Sequence, residues 1–397
     1  MRSVKIRIPG SFWDSQIYSG ELLLLGDEGE LHRVDWGAFI DRVALENLAM
    51  QTAIRVAFSD SDLFYNPKVR KILRDPHVEA PIKSQLFSLA DFSLEAADRL
   101  QSKDYWTTSD SPFDFLPTDT EVYYNQFFAG GEEGLFSFPR TATGKSKKSE
   151  LNKHHDASVF QVKASDRFSA LATAAGADGL FDFNVPRFTN QSAGKILGDG
   201  RQLATNACNA CDWAFQSVMG WSQDHGFMAS FREERDPGSN KKFRVFDRVI
   251  DQEEIFGESE SGRPESFWGS REKIYKISDG VISVLNYAGT KSFAGSNAKF
   301  ERKGEKALQI NEEPIATGTA PFGTVLEMSD KIIVLRSDGE IETFPGEPAH
   351  WRVFPRSEHY SNQLHIVYSD YVDIISFTHD YFVDQGSKMF GFTKGSD

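Results

Sequence analysis

The chain has 397 residues, of which 40% are hydrophobic and 13% aromatic, and its formal net charge at pH 7 is −14. A chain of this length can bury about three quarters of the surface that it exposes when unfolded, which allows a large core. The acidic balance disfavours a protein whose whole surface binds nucleic acid or an anionic membrane. Two cysteines are too few for a disulfide framework, and no apolar run approaches the length of a membrane-spanning helix.

The first candidate element is a strand near the N-terminus. Residues 4–8 alternate apolar and polar side chains until Pro9 and Gly10 end the pattern. In a β-propeller, such a strand can pair with the last blade and leave no exposed edge. The same region has no apolar segment of the signal-peptide type, so the sequence predicts a cytoplasmic protein.

A hairpin with a glycine turn recurs along the chain. Its clearest copy is residues 324–344, which predict three strands, with Ser337, Asp338 and Gly339 turning between the last two. Weaker copies place their turns at Asp27-Glu28-Gly29, Glu132-Glu133-Gly134, Ala177-Asp178-Gly179 and Ser278-Asp279-Gly280. When the two longest gaps are halved, the copies repeat every ~45–60 residues, close to the ~40–50 of propeller blades.

The repeat predicts a mainly β, β-propeller-like fold of six or seven degenerate antiparallel sheet units. We expect residues 1–397 to form a single domain of this kind. A β-sandwich or two smaller β domains are the alternatives, because hairpins with Asp-Gly turns occur in any antiparallel protein. The Trp-Asp and Gly-His signatures of the WD40 family are absent from the units.

Two segments change to helical periodicity and predict helical insertions, at about residues 36–105 and 198–222. The apolar face of the first is formed by Phe39, Val43, Ala44, Leu48, Ala49 and Thr52. The apolar face of the second is formed by Leu203, Ala207, Cys208, Cys211, Ala214, Phe215 and Val218. Between the two faces, the prolines at positions 67, 76 and 81 predict turns and short pieces of chain.

The insertions are the predicted binding elements, because a propeller does not need them for its own closure. Trp36 flanks the first insertion, and Trp213 and Trp221 belong to the second. Tryptophan is enriched at binding hot spots, so these three residues are the candidate partner-binding residues. The alternative is that both apolar faces pack on the propeller itself.

A basic segment lies between two of the hairpins, at about residues 140–155. It has five Lys or Arg against one Glu and few apolar residues, which predicts a mobile surface loop. Its candidate anion-binding residues are Lys145, Lys147, Lys148 and Lys153. Their target would be an acidic partner or a nucleic acid, although the segment has no interleaved aromatic residues on which bases could stack.

Cys208 and Cys211 have the spacing of half a zinc site. No second pair of ligands follows at a suitable spacing, and both thiols fall on the apolar face of the predicted helix. Packing in the core is therefore the favoured interpretation, with metal binding and redox chemistry as alternatives. The P-loop, dinucleotide and metalloprotease motifs are absent, so we predict no cofactor and no metal.

No motif identifies a reaction, so the catalytic residues are unknown and a non-enzymatic role is favoured. The sequence favours a protein–protein interaction scaffold or regulatory subunit of a cytosolic complex, without identifying the partner protein. One alternative is an enzyme whose carboxylates converge at the mouth of the propeller channel and act on a saccharide or another small polar substrate. The other is a subunit that contacts nucleic acid through the basic segment.

Overall fold

In the computed structural model, short strands account for most of the described chain. The structure describes residues 2–59, 67–91, 94–96, 102–140, 151–165, 167–185, 196–222, 225–235, 237–238, 242–257, 265–270, 272–288, 299–308, 310, 312–337, 339–357 and 359–377. The chain divides into two compact units: unit 1 is Met1–Leu116 with Gly318–Asp397, and unit 2 is Pro117–Thr317. The expectation of a single domain stays a prediction.

The N-terminal part of unit 1 combines strands with the first helical insertion. Its strands are β1 (Val4–Pro9), β2 (Phe12–Tyr18), β3 (Glu21–Gly26), β4 (Glu30–Asp35), β5 (Leu94–Glu95) and β6 (Trp106–Asp110). Its helices are α1 (Trp36–Glu46), a 3₁₀ helix (Leu48–Met50), α2 (Gln51–Phe58), α3 (Pro67–Leu73) and α4 (Pro76–Leu89). Every helix within the described ranges is too short or too polar to span a lipid bilayer.

Unit 2 follows with strands and one short helix. Its strands are β7 (Asp119–Tyr123), β8 (Gln126–Gly131), β9 (Gly134–Pro139), β10 (Asn152–His155), β11 (Gln161–Ala164), β12 (Ala170–Ala174), β13 (Leu180–Asn184), β14 (Arg201–Ala204), β15 (Ala210–Ala214), β16 (Ser217–Ser222), β17 (His225–Arg235), β18 (Lys242–Asp251), β19 (Glu265–Ser270), β20 (Lys273–Ser278), β21 (Val281–Tyr287) and β22 (Phe300–Ala307). The helix is α5 (Gln252–Phe256), between β18 and β19.

The C-terminal part of the chain returns to strands alone within the described residues. They are β23 (Ala316–Ala320), β24 (Gly323–Glu327), β25 (Lys331–Arg336), β26 (Ile341–Pro345), β27 (His350–Val353), β28 (Gln363–Val367) and β29 (Tyr371–Ser376).

These strands form seven sheets in the described part of the chain. Six have four strands, in the orders β2-β3-β4-β6, β10-β9-β8-β7, β11-β12-β13-β14, β15-β16-β17-β18, β19-β20-β21-β22 and β23-β24-β25-β26. The seventh has the order β27-β28-β29-β1-β5, in which β1 is antiparallel to β29 and β5 is parallel to β1. Small antiparallel sheets built from consecutive strands are the blades of a β-propeller. The predicted fold class is confirmed: a mainly β, β-propeller-like fold with a helical insertion.

The predicted strand pairings follow the same pattern. The N-terminal strand β1 pairs with β29, the last strand of the described chain, as its alternating sequence indicated. The five glycine turns each join two paired strands, and their glycines have positive φ angles; they are Gly29, Gly134, Gly179, Gly280 and Gly339. Only glycine accepts such angles without a steric cost, so this turn chemistry was readable in the sequence.

The first helical insertion is confirmed, and it shares its core with the strands of unit 1. The buried cluster joins Trp36, Phe39 and Phe58 of the insertion to Ile6 of β1 and Val372 of β29. Burial of each large apolar side chain contributes about 1.5–3 kcal/mol to stability. The insertion is therefore attached to the sheets through a continuous apolar core.

Two prolines of the insertion begin helices and the third, Pro81, lies inside α4, so the prediction of turns and short pieces there was wrong. Pro67 and Pro76 are the first residues of α3 and α4. A proline at this position loses no hydrogen bond, because the first N–H groups of a helix have no acceptor within it. The carboxylate of Asp75 caps α4 by accepting the N–H of His77 at 2.9 Å.

The prediction of a second helical insertion at residues 198–222 was wrong. This segment forms β14, β15 and β16, and Trp213 pairs with Val218 across the β15–β16 hairpin. A short run of apolar residues fits a helix face and a buried strand equally well, so its sequence does not decide between them. The partners that place the segment in sheets are β13, which pairs with β14, and β17, which pairs with β16.

The basic segment at residues 140–155 was also only partly predicted. Residues 141–150 lie outside the described residues. The end of the segment is not a loop, because Asn152–His155 is β10 and pairs with β9. Burial of the His154 ring, whose Nε2 lies 2.7 Å from the hydroxyl of Ser137, stabilises this strand despite its polar sequence.

Polar side chains on the first strands connect successive sheets of unit 2. The Oδ2 atom of Asp119 on β7 accepts the backbone N–H of Val162 on β11 at 2.8 Å. The Oε1 atom of Gln161 on β11 accepts the backbone N–H of Cys211 on β15 at 2.7 Å. Strands β11 and β15 are at the edge of their sheets, so one side of each has no neighbouring strand to accept its backbone N–H groups. These side-chain hydrogen bonds satisfy two of those donors.

Candidate functional site

Trp36 lies in the core of unit 1 and is fully buried. Its indole N–H donates to the backbone carbonyl of Phe58 at 2.6 Å, and its ring stacks on Phe39 with centroids 5.6 Å apart. The side chain thus connects the start of α1 to the end of α2. It stabilises the insertion and presents no surface to another protein in this conformation.

Trp213 and Trp221 lie on strands and bind the adjacent sheets of unit 2. The buried Trp213 donates its indole N–H to the carbonyl of Lys163 at 2.9 Å. The partly exposed Trp221 donates its indole N–H to the carbonyl of Glu265 at 2.8 Å. Both indoles join first or second strands of neighbouring sheets, and a partner-binding role for the three tryptophans stays a prediction.

Of the four candidate anion-binding lysines, only Lys153 belongs to the described residues. Lys145, Lys147 and Lys148 lie outside the described residues. Lys153 is exposed on β10, where its ammonium is 2.9 Å from the carboxylate of Asp156 and 5.5 Å above the ring of Phe136. Anion binding by the four lysines stays a prediction.

Cys208 and Cys211 are both buried and both free. Burial raises the pKa of the Cys208 thiol to about 12, and it also raises the pKa of Cys211 well above the usual value. A thiol in this environment stays protonated and packs as a small apolar group. Within the described residues, no three His, Cys, Asp or Glu side chains are grouped so that they could hold a metal ion.

The helical insertion carries an apolar surface that faces solvent. We define the insertion surface as the exposed large apolar side chains of this segment, namely Leu45, Leu48, Ile72 and Phe87. Leu48 is 65% exposed and Phe87 is 61% exposed. A contiguous patch of exposed apolar side chains marks an interaction site, whereas single exposed ones are common on any protein.

The helical pattern predicted that Leu48 lies on the buried face of the insertion, and this prediction was wrong because Leu48 is exposed. The helix α1 ends at Glu46, because Asn47 has φ −123° and ψ 56°, outside the helical region. Leu48 then begins a 3₁₀ helix, so the 3.6-residue period that assigned it to the buried face does not continue through Asn47.

The α3–α4 part of the insertion is basic in an acidic protein. The segment 67–89, which forms α3 and α4, contains five Lys or Arg and two Asp or Glu, whereas the whole chain has a net charge of −14. The side chains of Lys68, Lys71 and Arg74 are exposed next to Ile72. This combination of apolar and basic groups complements a segment that is apolar and acidic.

A cluster of charged side chains lies in unit 2, near the β15–β16 turn. Asp182 of β13 forms ion pairs with Arg201 of β14 at 2.8 Å and with Arg244 of β18 at 2.5 Å. Arg244 is buried over the ring of Phe231, 3.9 Å from its centroid, and burial lowers the pKa of its guanidinium to about 10. The guanidinium of Arg244 also lies 4.9 Å from the centroid of the Trp213 ring.

An exposed arginine extends this cluster toward solvent. The guanidinium of Arg167 lies 3.9 Å above the ring of Phe215, in the two-residue turn between β15 and β16. The backbone of Arg167 belongs to the β11–β12 turn, next to Phe168, whose ring is 5.6 Å from Arg244. Sequence reasoning missed these residues, because no local pattern relates Arg167 to Phe215 or Arg201 to Arg244.

Carboxyl groups of raised pKa, which the enzyme alternative requires, are engaged in structural bonds. Burial raises the pKa of Glu327, whose carboxylate accepts the indole N–H of Trp351 at 2.7 Å. Burial, followed by the charge of Glu265, raises the pKa of Glu313, which accepts the N–H of Asp279 at 3.0 Å. Neither group has a geometry that identifies a reaction, and enzymatic activity stays a hypothesis.

No protein-family model matches the chain, and no curated protein matches its sequence. Among solved structures, the chain is similar to a protein described as the AfRom2 CNH domain. The alignment has 12% identity and a TM-score of 0.34, and it covers 66% of this chain and 94% of that one. A TM-score this low says nothing about function.

Proposed function

We propose that this protein is a non-catalytic interaction scaffold or regulatory subunit that docks another cytoplasmic protein on the insertion surface. The observation that supports it is the exposure of Leu45, Leu48, Ile72 and Phe87 on one insertion whose opposite face is already buried. A β-propeller-like fold is consistent with an interaction role. The docked segment is apolar and acidic, because the exposed Ile72 lies among basic side chains of α3.

The size of the exposed side chains determines the binding free energy that each is expected to contribute. Burial of one Leu or Phe side chain in an interface contributes about 1.5–3 kcal/mol. Loss of such a contact lowers affinity by about tenfold to a hundredfold, since 1.4 kcal/mol corresponds to a factor of ten. Leu48 and Phe87 are the most informative positions, because they are the most exposed apolar side chains of their elements.

The proposal is tested by affinity measurements on surface variants. A protein that co-purifies stoichiometrically with the tagged chain is identified, purified and titrated against the wild type and against Leu48→Ser and Phe87→Ser. We expect each variant to weaken binding at least about tenfold. Both positions are exposed, so the melting temperature should be nearly unchanged.

Ile341→Ser is the matched control. Ile341 is an apolar side chain of β26 that is 50% exposed and lies outside the insertion. We expect this variant to bind the partner as the wild type does. Equal affinity of all three variants, or the absence of any stoichiometric partner, contradicts the proposal.

A further inference from the structure

The Arg167–Phe215 pair of unit 2 lies at the two-residue turn between β15 and β16. Phe215 has a φ angle of +55°, which is unusual for a bulky residue with a Cβ atom. A two-residue hairpin turn requires a positive φ angle at its first residue, and Ser19, Tyr124 and Asp279 have one at the same place in their turns. This conformation presents the ring of Phe215 to the guanidinium of Arg167.

The guanidinium of Arg167 has unused hydrogen-bonding capacity. Its side chain is exposed, and within the described part of the chain it forms no ion pair and no side-chain hydrogen bond. Stacking on Phe215 occupies only the face of the group and leaves the N–H donors at its edge available. A planar guanidinium held in place by stacking loses little entropy when a carboxylate binds to its edge.

The ring of Phe168, the residue after Arg167, lies 5.6 Å from Arg244, which belongs to a cluster of two arginines and one carboxylate. Arg201 and Arg244 share a single carboxylate, that of Asp182, so this trio has a net charge of +1. The side chain of Arg201 is 44% exposed, whereas that of Arg244 is buried and contributes its positive charge to the electrostatic potential there. A surplus cation in a partly buried setting is stabilised by a further anion.

An exposed aromatic side chain continues the same surface. Tyr124, in the turn between β7 and β8, is 45% exposed, and its hydroxyl lies 3.2 Å from the hydroxyl of Ser169. Ser169 belongs to the β11–β12 turn that also carries Arg167. We define the arginine rim as Tyr124, Arg167, Arg201 and Phe215, with the buried Arg244 behind them.

We propose that the arginine rim is a second docking site, which takes an acidic peptide segment of a partner protein. A side-chain carboxylate of that segment binds the edge of the Arg167 guanidinium, and a second one approaches Arg201. Arginine and tyrosine are the residue types that dominate binding energy at protein interfaces. The rim is separate from the insertion surface, and its test uses different residues, so each proposal can fail alone.

A peptide fits the rim better than a single-stranded nucleic acid does. The accessible face of Phe215 is covered by Arg167, so that ring offers no platform on which a base could stack. A long polyanion also meets the repulsion of a chain whose net charge is −14, whereas a short acidic segment brings few charges.

The test is a fluorescence-anisotropy titration of the full chain with a short fluorescein-labelled polyglutamate peptide at low ionic strength. Arg167→Ala should weaken binding about tenfold or more, because it removes a charge-assisted bidentate contact. Arg167→Lys should bind with intermediate affinity, since it keeps the charge but not the planar fork. Circular dichroism confirms that the exposed substitutions leave the fold intact.

Two control variants isolate the site. Arg232→Ala removes another exposed arginine of unit 2, one that is already paired with Glu234 and Asp247, and it should bind as the wild type does. Joint replacement of Lys145, Lys147 and Lys148 by Ser tests the basic segment and should also leave binding unchanged.

Three outcomes overturn the inference. Equal weakening by Arg167→Ala and Arg232→Ala indicates non-specific attraction by total charge. Loss of binding only in the triple lysine variant assigns the anion to the basic segment. Tighter binding of an oligodeoxythymidylate than of the peptide, with the same dependence on Arg167, identifies a nucleic-acid site.

Discussion

Asp14 is the centre of a buried polar network in unit 1. Its carboxylate accepts hydrogen bonds from the Nη2 and Nε atoms of Arg352, at 2.8 and 3.2 Å, and from the backbone N–H of Ser15 at 2.7 Å. Asp14 and Arg352 are almost completely buried. A charge in this position is tolerated only because its partner and hydrogen bonds replace water, so the pair specifies how β2 and β27 pack.

Replacement of Asp14 by Asn should therefore destabilise the fold strongly. The guanidinium of Arg352 would stay buried without the carboxylate of Asp14, and breaking a buried ion pair costs about 3–5 kcal/mol of unfolding free energy. The matched control is Arg2→Ala, which breaks the exposed pair between Arg2 and Asp91 and should cost less than about 1 kcal/mol. Urea unfolding of both variants checks this, and equal losses contradict the assignment.

The hairpin turn that repeats along the chain also packs against the strand that completes its sheet. A Cβ atom on Gly134 would meet the backbone carbonyl of His155, where β10 ends, and a Cβ atom on Gly179 would meet the carbonyl of Ala204 in β14. The glycine is thus required twice, for its positive φ angle and for the close approach of the fourth strand. Gly29, with φ +89°, matches the +91° of Gly179 but has nothing near its Cβ position.

Substitution of these glycines separates the two requirements. Gly29→Ala should cost about 1–2 kcal/mol, the conformational penalty of a positive φ angle for a residue with a Cβ atom. Gly179→Ala, at nearly the same φ angle, should cost about 1–3 kcal/mol more, because its methyl group displaces the end of β14. Unfolding free energies measured in urea decide this, and equal costs for the two variants would remove the packing role.

At the scale of the whole molecule, each unit contains a histidine that is neutral because it is buried. Burial lowers the pKa of His154 in unit 2 to about 4. In unit 1, burial and then the charge of Arg352 lower the pKa of His365 to about 3. The Nδ1 atom of His365 lies 2.7 Å from the Ser15 hydroxyl, within the same polar network as Asp14.

Stability should consequently fall as the pH is lowered below about 6.5, the pKa of an unfolded histidine. The unfolded chain then binds protons that the folded chain does not, so the contribution of each histidine is present above pH 6.5 and is lost toward the folded-state pKa. The loss is at most about 1.4 kcal/mol per pH unit for each histidine. Urea unfolding at pH 7.5 and pH 5 measures it.

A variant assigns this pH dependence to one residue. His365→Asn should be less stable than the wild type at pH 7.5, because it disturbs the buried network, but it should lose less stability on acidification. Glu313 and Glu327, whose pKa values are raised, act in the opposite direction, and they are unchanged in the variant. An identical pH slope in the wild type and the variant rules out His365 as a source.

The repeat was visible in the sequence, but the sequence did not show which two strands of a sheet each glycine turn joins. Four of the five glycine turns join the second and third strands of a sheet, as Gly179 joins β12 and β13. Gly339, in the clearest copy, joins the third and fourth strands, β25 and β26. Turn chemistry is local and can be recognised anywhere, whereas the place of a hairpin in its sheet depends on strands that are distant in sequence.

The sequence by itself determined the hairpins, the pairing tendency of β1 and the helical stretch from Trp36 to Phe58, because alternation, helical period and turn residues act over a few neighbours. Only the tertiary structure decided that residues 210–222 became strands, since their pairing with each other and with β17 placed them in a four-stranded sheet. It also decided that Leu48 is exposed and that Arg167 stacks on Phe215, 48 positions away. Burial and side-chain pairing between sheets depend on the assembled fold, and no local pattern encodes them.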